Sequence, residues 1–303
     1  MTRRVAAIDC GTNSVRLLVA DTDGETLTAL RREMRIVRLG EGVDRTGRLS
    51  EAAIERTRLA LLEYAATIAE LGAEQIRMCA TSASRDATNA ADFTAMVRAT
   101  IGVEPEVVSG DEEARLSFTG AARGLAAEPP FLVVDIGGGS TEFVVGSGDV
   151  EAAISVDIGC VRMTERHLHS DPPGTPELAA ALVDITAAVD RGLAAVGGGR
   201  GATLVGLAGS VTTVAAISLD LDGYDPERLH HAVIPYAEVA RIAGELAAAD
   251  HDERLAIPVM HPGRADVIVA GALILRTIME RTGATSVITS ESDILDGIVW
   301  SMA

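Results

Sequence analysis

An α/β fold built from two related halves is what this 303-residue sequence predicts, on three observations. The stretch Phe131 to Gly146, F-L-V-V-D-I-G-G-G-S-T-E-F-V-V-G, reads as apolar strand, acid, glycine turn, small hydroxyls, second acid, apolar strand. A second copy stands near the N-terminus. Val5 to Ala20, V-A-A-I-D-C-G-T-N-S-V-R-L-L-V-A, lays Asp9 on Asp135, Gly11 on Gly137, Ser14 on Ser140 and Arg16 on Glu142. Around both copies, short strand-like runs alternate with longer stretches of helical spacing, the pattern of α/β domains.

Taken in order, the first hairpin is followed by a turn at Asp21–Gly24, further strand over 25–39 and a loop at 40–47. Ser50 caps a helix to Leu71, with Ile54, Leu61, Leu62, Tyr64, Ile68 and Leu71 mostly at helical spacing and Gly72 as its stop. A strand over 76–80 ends in T-S-A-S-R-D, which places Arg85 in the loop past a strand's carboxyl end, where open α/β sheets bind ligands. Asn89 is expected to cap a helix to Ile101, and 106–108 forms a short strand. Asp111, Glu112 and Glu113 then open a helix. The helix dipole explains acids there, and one of the three is also placed to reach a ligand. Pro129 and Pro130 set a domain boundary, giving halves 1–126 and 127–303. A long alanine-rich helix is expected over 175–196, a G-G-G-R-G linker at 197–201, and helices near 236–248 and 263–282. A last strand over 286–289 leads to a helix from Asp293, which is expected to pack back on the first half.

The repeated stretch carries chemistry. Glycine, lacking Cβ, lets successive backbone amides close on an anion. Two carboxylates flanking such a turn suit a divalent cation held against phosphate oxygens, since Mg²⁺ takes one or two carboxylates and completes its shell from phosphate and water. A tight hairpin with solvent-facing acids is the plainer alternative. In the first copy Arg16 replaces the second acid, so the metal belongs with the second copy and a bare cation with the first. A third glycine turn, Leu204–Ile217, runs from a strand into a helix near Ser210 and offers amides to another phosphate.

Net charge is −18, which argues against a nucleic-acid groove. Residues 1–126 hold 16 Arg against 19 acids, and residues 127–303 hold 10 Arg against 25, with no lysine anywhere. A polyanion is therefore drawn to the first half. Arg31, Arg32, Arg35 and Arg38 either serve it or are surface residues of a strand. The sequence has no apolar run of about 18 residues, so no membrane span is expected. No signal peptide is apparent, and the odd, scattered Cys10, Cys79 and Cys160 read as reduced buried thiols, so a cytoplasmic location is expected.

The motifs D-C-G-T-N-S, T-S-A-S-R, S-G-D-E-E-A-R, D-I-G-G-G-S-T-E and G-L-A-G-S-V-T-T, in this order, resemble the exopolyphosphatase and guanosine pentaphosphate phosphohydrolase family across essentially the whole chain. That resemblance implies two ribonuclease-H-like domains of the actin and sugar-kinase superfamily with a ligand cleft. It also implies a short form, ending before the HD-type helical domain of longer members. By the same resemblance Glu113 is the general base and Arg85 lies at the reacting phosphate. Asp135 and Glu142, with Asp9, are the Mg²⁺ acids, Mn²⁺ being an alternative. The phosphate loops are Gly11, Thr12, Asn13, Ser14 and Arg16; Gly137, Gly138, Gly139, Ser140 and Thr141; and Gly209, Ser210 and Thr212. The substrate implied is inorganic polyphosphate, with guanosine pentaphosphate or another nucleoside triphosphate as alternative. A homodimer is the implied assembly. A non-hydrolytic sensor is the competing class, disfavoured because a binder needs no base.

Overall fold

The computed structural model describes residues 1–303, and the chain divides into two compact units: Met1–Gly120 with Asp293–Ala303, and Ala121–Ser292. The division therefore falls a few residues ahead of the boundary read from Pro129 and Pro130, and the C-terminal segment is counted with the first unit.

In the first unit β1 (Arg3–Cys10), β2 (Ser14–Thr22) and β3 (Leu27–Ile36) form an antiparallel meander. Helix α1 (Val43–Thr46) and the long α2 (Glu51–Leu71) lead to β4 (Gln75–Ala80), which pairs parallel to β1. After α3 (Ser82–Asp86) and α4 (Ala90–Ile101), β5 (Glu106–Val107) pairs parallel to β4, and α5 (Gly110–Ala122) follows. The sheet order is β3-β2-β1-β4-β5. Period-2 alternation sends Ala6, Ile8 and Cys10 to one face, where Leu61, Tyr64, Ile68, Phe93 and Val97 of α2 and α4 cover them. Val5 and Ala7 go to the other face, against Leu116 of α5 and Ile294, Leu295 and Ile298 near the C-terminus. Asp9 and Arg16 lie on this second face.

The second unit repeats the plan. Strands β6 (Phe131–Ile136), β7 (Thr141–Gly146) and β8 (Val150–Val156) form the meander; α6 (Cys160–His167) and α7 (Thr175–Ala195) precede β9 (Thr203–Leu207), which lies parallel to β6. Then come α8 (Ala208–Ser218), α9 (Pro226–Leu229), β10 (Val233–Pro235), α10 (Tyr236–Ala248), α11 (His251–Leu255), α12 (Ile268–Thr282) and β11 (Ser286–Thr289), parallel to β9. The order β10-β11-β9-β6-β7-β8 is the first sheet's order with one strand added at an edge. Both sheets have the ribonuclease-H-like topology that the resemblance implies. Leu132, Val134, Ile136 and Phe143 face the core with α7 and α12, so alternation turns Asp135 and Glu142 to the opposite face. The final helix, α13 (Ile294–Trp300), belongs to the first unit. No helix is long and apolar enough to cross a membrane.

Several local expectations change. Ser50 does cap α2, accepting Ala53 N–H at 3.1 Å, and Gly72 ends the helix in the left-handed region. Asn89 makes no cap bond; its side chain bridges to Leu49, accepting its N–H at 2.9 Å and donating to its carbonyl at 3.1 Å. Helix α12 starts at Ile268 rather than near 263, because 261–267 form turns. Arg32, on β3, reaches both Asp296 oxygens at 2.7–2.8 Å. Arg35 bonds Glu63 and Glu33.

Candidate active site

Both hairpin copies close with the same bond: Gly11 N–H to Ser14 carbonyl at 2.9 Å, and Gly137 N–H to Ser140 carbonyl at 3.0 Å. In each, neighbouring segments capture the turn's carbonyls. The Thr12 carbonyl accepts from Gly40 N–H at 2.9 Å, and the Asn13 carbonyl from the amides of Val37 and Arg38 at 3.0 and 2.8 Å. A peptide's N–H points opposite to its C=O, so the Asn13 and Ser14 amides turn the other way, as an anion nest requires. Thr12 packs its methyl against position 40, where an added Cβ would stand 2.3 Å away, so glycine is required there. Thr12 Oγ1 and Asn13 Oδ1 are buried without a hydrogen-bond partner in the protein. Buried polar atoms normally have partners, and these two orphans sit in the turn expected to meet a ligand.

Beside this turn the carboxyl ends of β4 and β5 bring Arg85 and Glu113 together. Arg85 Nη1 donates to Glu113 Oε2 at 2.6 Å and to the Val108 carbonyl at 3.0 Å. The three consecutive acids separate cleanly. Asp111 pairs with Arg115 one turn on, and Glu112 with Arg77, both on the surface. Glu113 alone is buried, at 8% exposure.

On the same hairpin Arg16 donates Nε and Nη2 to Asp9 Oδ2 at 3.0 and 2.7 Å and also bonds Asp293, the N-cap of α13. Burial raises the Asp9 carboxyl above its usual range against the pull of Arg16. Burial acts on Asp293 too, but Arg16, Arg32 and the Leu295 amide reverse it and hold Asp293 low. Two carboxylates share one guanidinium here, and the better-stabilised charge is on Asp293, which also has Arg32 and the Leu295 amide.

In the second copy the cross-strand partner of Asp135 is Glu142, so the place of the Asp9–Arg16 pair is taken by two acids on one face. They are 7% and 1% exposed, and Ser155 Oγ donates to Glu142 Oε1 at 2.7 Å. The glycine turn beside them is held from behind by the start of α6. Gly137 carbonyl accepts Cys160 N–H at 3.0 Å, Gly138 carbonyl accepts the amides of Val161 and Arg162 at 2.9 and 3.1 Å, and Gly139 carbonyl accepts Arg162 Nε at 2.6 Å. The helix's first amides are thus spent on the turn. The amides of Gly138, Gly139 and Ser140 consequently face away from α6. Gly159 must be glycine, because a Cβ would lie 2.3 Å from the Gly138 oxygen. Thr141 donates its hydroxyl to the Ile158 carbonyl at 2.6 Å, and its backbone belongs to β7.

Do these residues fit a divalent cation? Two buried hard-oxygen donors side by side at a nest of amides are the donor set Mg²⁺ takes from protein when phosphate supplies the rest. No three His, Cys, Asp or Glu side chains gather into a full protein cage. Asp9, expected beside them, has Oδ2 committed to Arg16.

At the third turn Ala208 is held at φ 68°, a left-handed conformation costly for a residue with Cβ. It opens α8, slightly ahead of the expected start at Ser210. Arg264 lies on Gly209, donating Nη1 to the Gly209 carbonyl at 3.3 Å and to Thr213 Oγ1 at 3.2 Å. Ser210 packs its hydroxyl against Gly271 and the Cys160 thiol, and Thr212 is buried. Burial pushes all three thiols up, Cys79 to about 12, so none is a nucleophile at neutral pH.

Sequence reasoning missed Arg162 and Arg264. Each is remote in the chain from the turn it holds, so no local spacing pointed to it.

Comparison with known proteins gives a consistent result. The family model described as the Ppx/GppA phosphatase family matches residues 18–303. Exopolyphosphatase 2 of Mycobacterium tuberculosis strain H37Rv is 47% identical over 99% of this chain and 98% of its own. The crystal structure of an exopolyphosphatase-like protein superposes with TM-score 0.96 at 36% identity, covering 100% and 98% of the two chains. The Ppx/GppA family member of Aquifex aeolicus gives 0.83 at 33%, with the same coverage. By a match that runs nearly end to end, this chain belongs to the Ppx/GppA phosphatase family.

Proposed function

We propose that this protein is an exopolyphosphatase, which hydrolyses the terminal phosphoanhydride of inorganic polyphosphate and releases orthophosphate. The observation that carries this reading is the full-length, 47% identity to exopolyphosphatase 2 of Mycobacterium tuberculosis. The geometry supports the roles. Glu113, buried and held by Arg85 at 2.6 Å, orients and deprotonates the attacking water; a positioned base contributes about 10²–10⁴ in rate. Arg85 places positive charge at the reacting phosphate, where phosphoryl transfer needs it on the equatorial oxygens. The amides of the glycine turns hold phosphate oxygens in line. Asp135 and Glu142 would hold Mg²⁺, or Mn²⁺, which when bound supplies further neutralisation of phosphate oxygens. Asp9, with Asp293, holds the Arg16 guanidinium in place on the first hairpin.

The family's double description makes guanosine pentaphosphate the second substrate class. A cytoplasmic location fits three buried free thiols. A homodimer is the assembly proposed from the family resemblance, to be tested by sedimentation. One panel decides the chemistry: orthophosphate release from tripolyphosphate, long-chain polyphosphate, guanosine pentaphosphate and ATP, with Mg²⁺ and with EDTA. Release from polyphosphate that EDTA removes is the expected result. Release from guanosine pentaphosphate alone moves the protein to the second class, and binding without release makes it a sensor.

A further inference from the structure

The first glycine turn is held entirely by backbone amides, whereas the second depends on a side chain. Its last carbonyl, Gly139, is reached by Arg162 Nε at 2.6 Å. No further α6 amide takes this place, because Cys160, Val161 and Arg162 N–H go to Gly137 and Gly138, and Met163 N–H goes to the Gly159 carbonyl at 3.0 Å. Arg162 therefore grips two successive carbonyls, Gly138 through its backbone and Gly139 through its guanidinium. Fixing the Gly139 carbonyl fixes the same peptide plane's other end, the Ser140 amide, which points the opposite way.

We propose that Arg162 is a positioning residue for phosphate binding, aiming the Ser140 N–H of the second turn at a substrate phosphate oxygen. This rests on the reading of the turn as a phosphate nest. A guanidinium suits the task better than an ammonium because its Nε–H is fixed in direction and charge-assisted, while lysine offers a rotating point charge. Three glycines in a row leave the peptide plane otherwise loose, and the arginine removes that freedom before substrate arrives.

The test compares wild type with Arg162→Met and Arg162→Lys, reading pyrophosphate affinity by titration calorimetry, tripolyphosphate KM and kcat, and Tm without ligand. Arg162→Met is expected to weaken pyrophosphate binding about tenfold, the factor expected when one residue's backbone must be ordered on binding instead of beforehand. KM should rise in parallel, kcat should move less than KM, and the ligand-free Tm should stay near wild type. Arg162→Lys should fall between, and it carries the test if the methionine variant does not fold. Wild-type pyrophosphate affinity in the folded variants would overturn the proposal. So would a fall in ligand-free Tm accompanied by equal losses in KM and kcat, since that marks a merely structural role. Wild-type protein that binds pyrophosphate yet releases nothing from any polyphosphate would instead overturn the enzymatic reading and leave the Arg162 comparison intact.

Discussion

Glu113 sits one residue past Glu112, and the two differ in every respect that matters for chemistry. Glu112 faces solvent on Arg77; Glu113 is buried on Arg85. Glu113→Gln keeps the shape but cannot accept a proton, so phosphate release is expected to drop by about 10²–10⁴ with tripolyphosphate affinity retained. Retained turnover in that variant would remove Glu113 from the mechanism. Arg85→Met acts on stability as well, because it takes the paired cation from a buried carboxylate; a cost of about 3 kcal/mol, read by urea denaturation, is expected. Asp135→Asn should raise the Mg²⁺ concentration for half-maximal activity, whereas Glu112→Gln, remote in chemistry though adjacent in sequence, should leave that titration unchanged.

At the scale of elements, the two hairpins are the same device with different wiring. Each closes Gly-to-Ser across the turn and turns its amides outward because a neighbour takes its carbonyls. The repeat, the glycines and the acid positions were legible in one dimension, because they are local to a strand–turn–strand unit. What was not legible is which distant segment supports each turn: residues 37–40 for the first, α6 for the second, Arg264 for the third. Gly159→Ala tests this support. Its Cβ would meet the Gly138 carbonyl at 2.3 Å, so α6 must retreat from the turn. A loss of about 1–3 kcal/mol in stability, with weaker pyrophosphate binding, is expected from denaturation and calorimetry.

For the whole molecule, the C-terminal helix is the element whose packing partners lie farthest away in the chain. Helix α13 closes the first unit's second face, and it approaches α5 so nearly that a Cβ on Gly297 would stand 2.0 Å from the Leu116 oxygen. Gly297→Ala should therefore lower Tm by several degrees, roughly the effect of 1–3 kcal/mol on a domain of this size. Its capping acid Asp293 binds its proton more weakly folded than unfolded. The stability it contributes is then present above about pH 4, the usual carboxylate range, and is lost as pH falls through the depressed folded value. Asp293→Asn should be less stable at neutral pH and show a flatter acid limb, measured as Tm against pH.

Hydrophobic period and turn chemistry act over a few residues, so the duplicated α/β plan, the three glycine turns and the acids Asp135 and Glu142 were legible in the chain, while Glu113 was picked from its two neighbours only by the family resemblance. Packing between distant segments fixed which of three adjacent acids is buried against an arginine. It also paired Arg32 with Asp296 of α13, and set Arg162 and Arg264 behind the turns. Those are choices between partners far apart in the chain. Such choices are set by which faces the sheets present and where the helices land, and no spacing in the sequence encodes that.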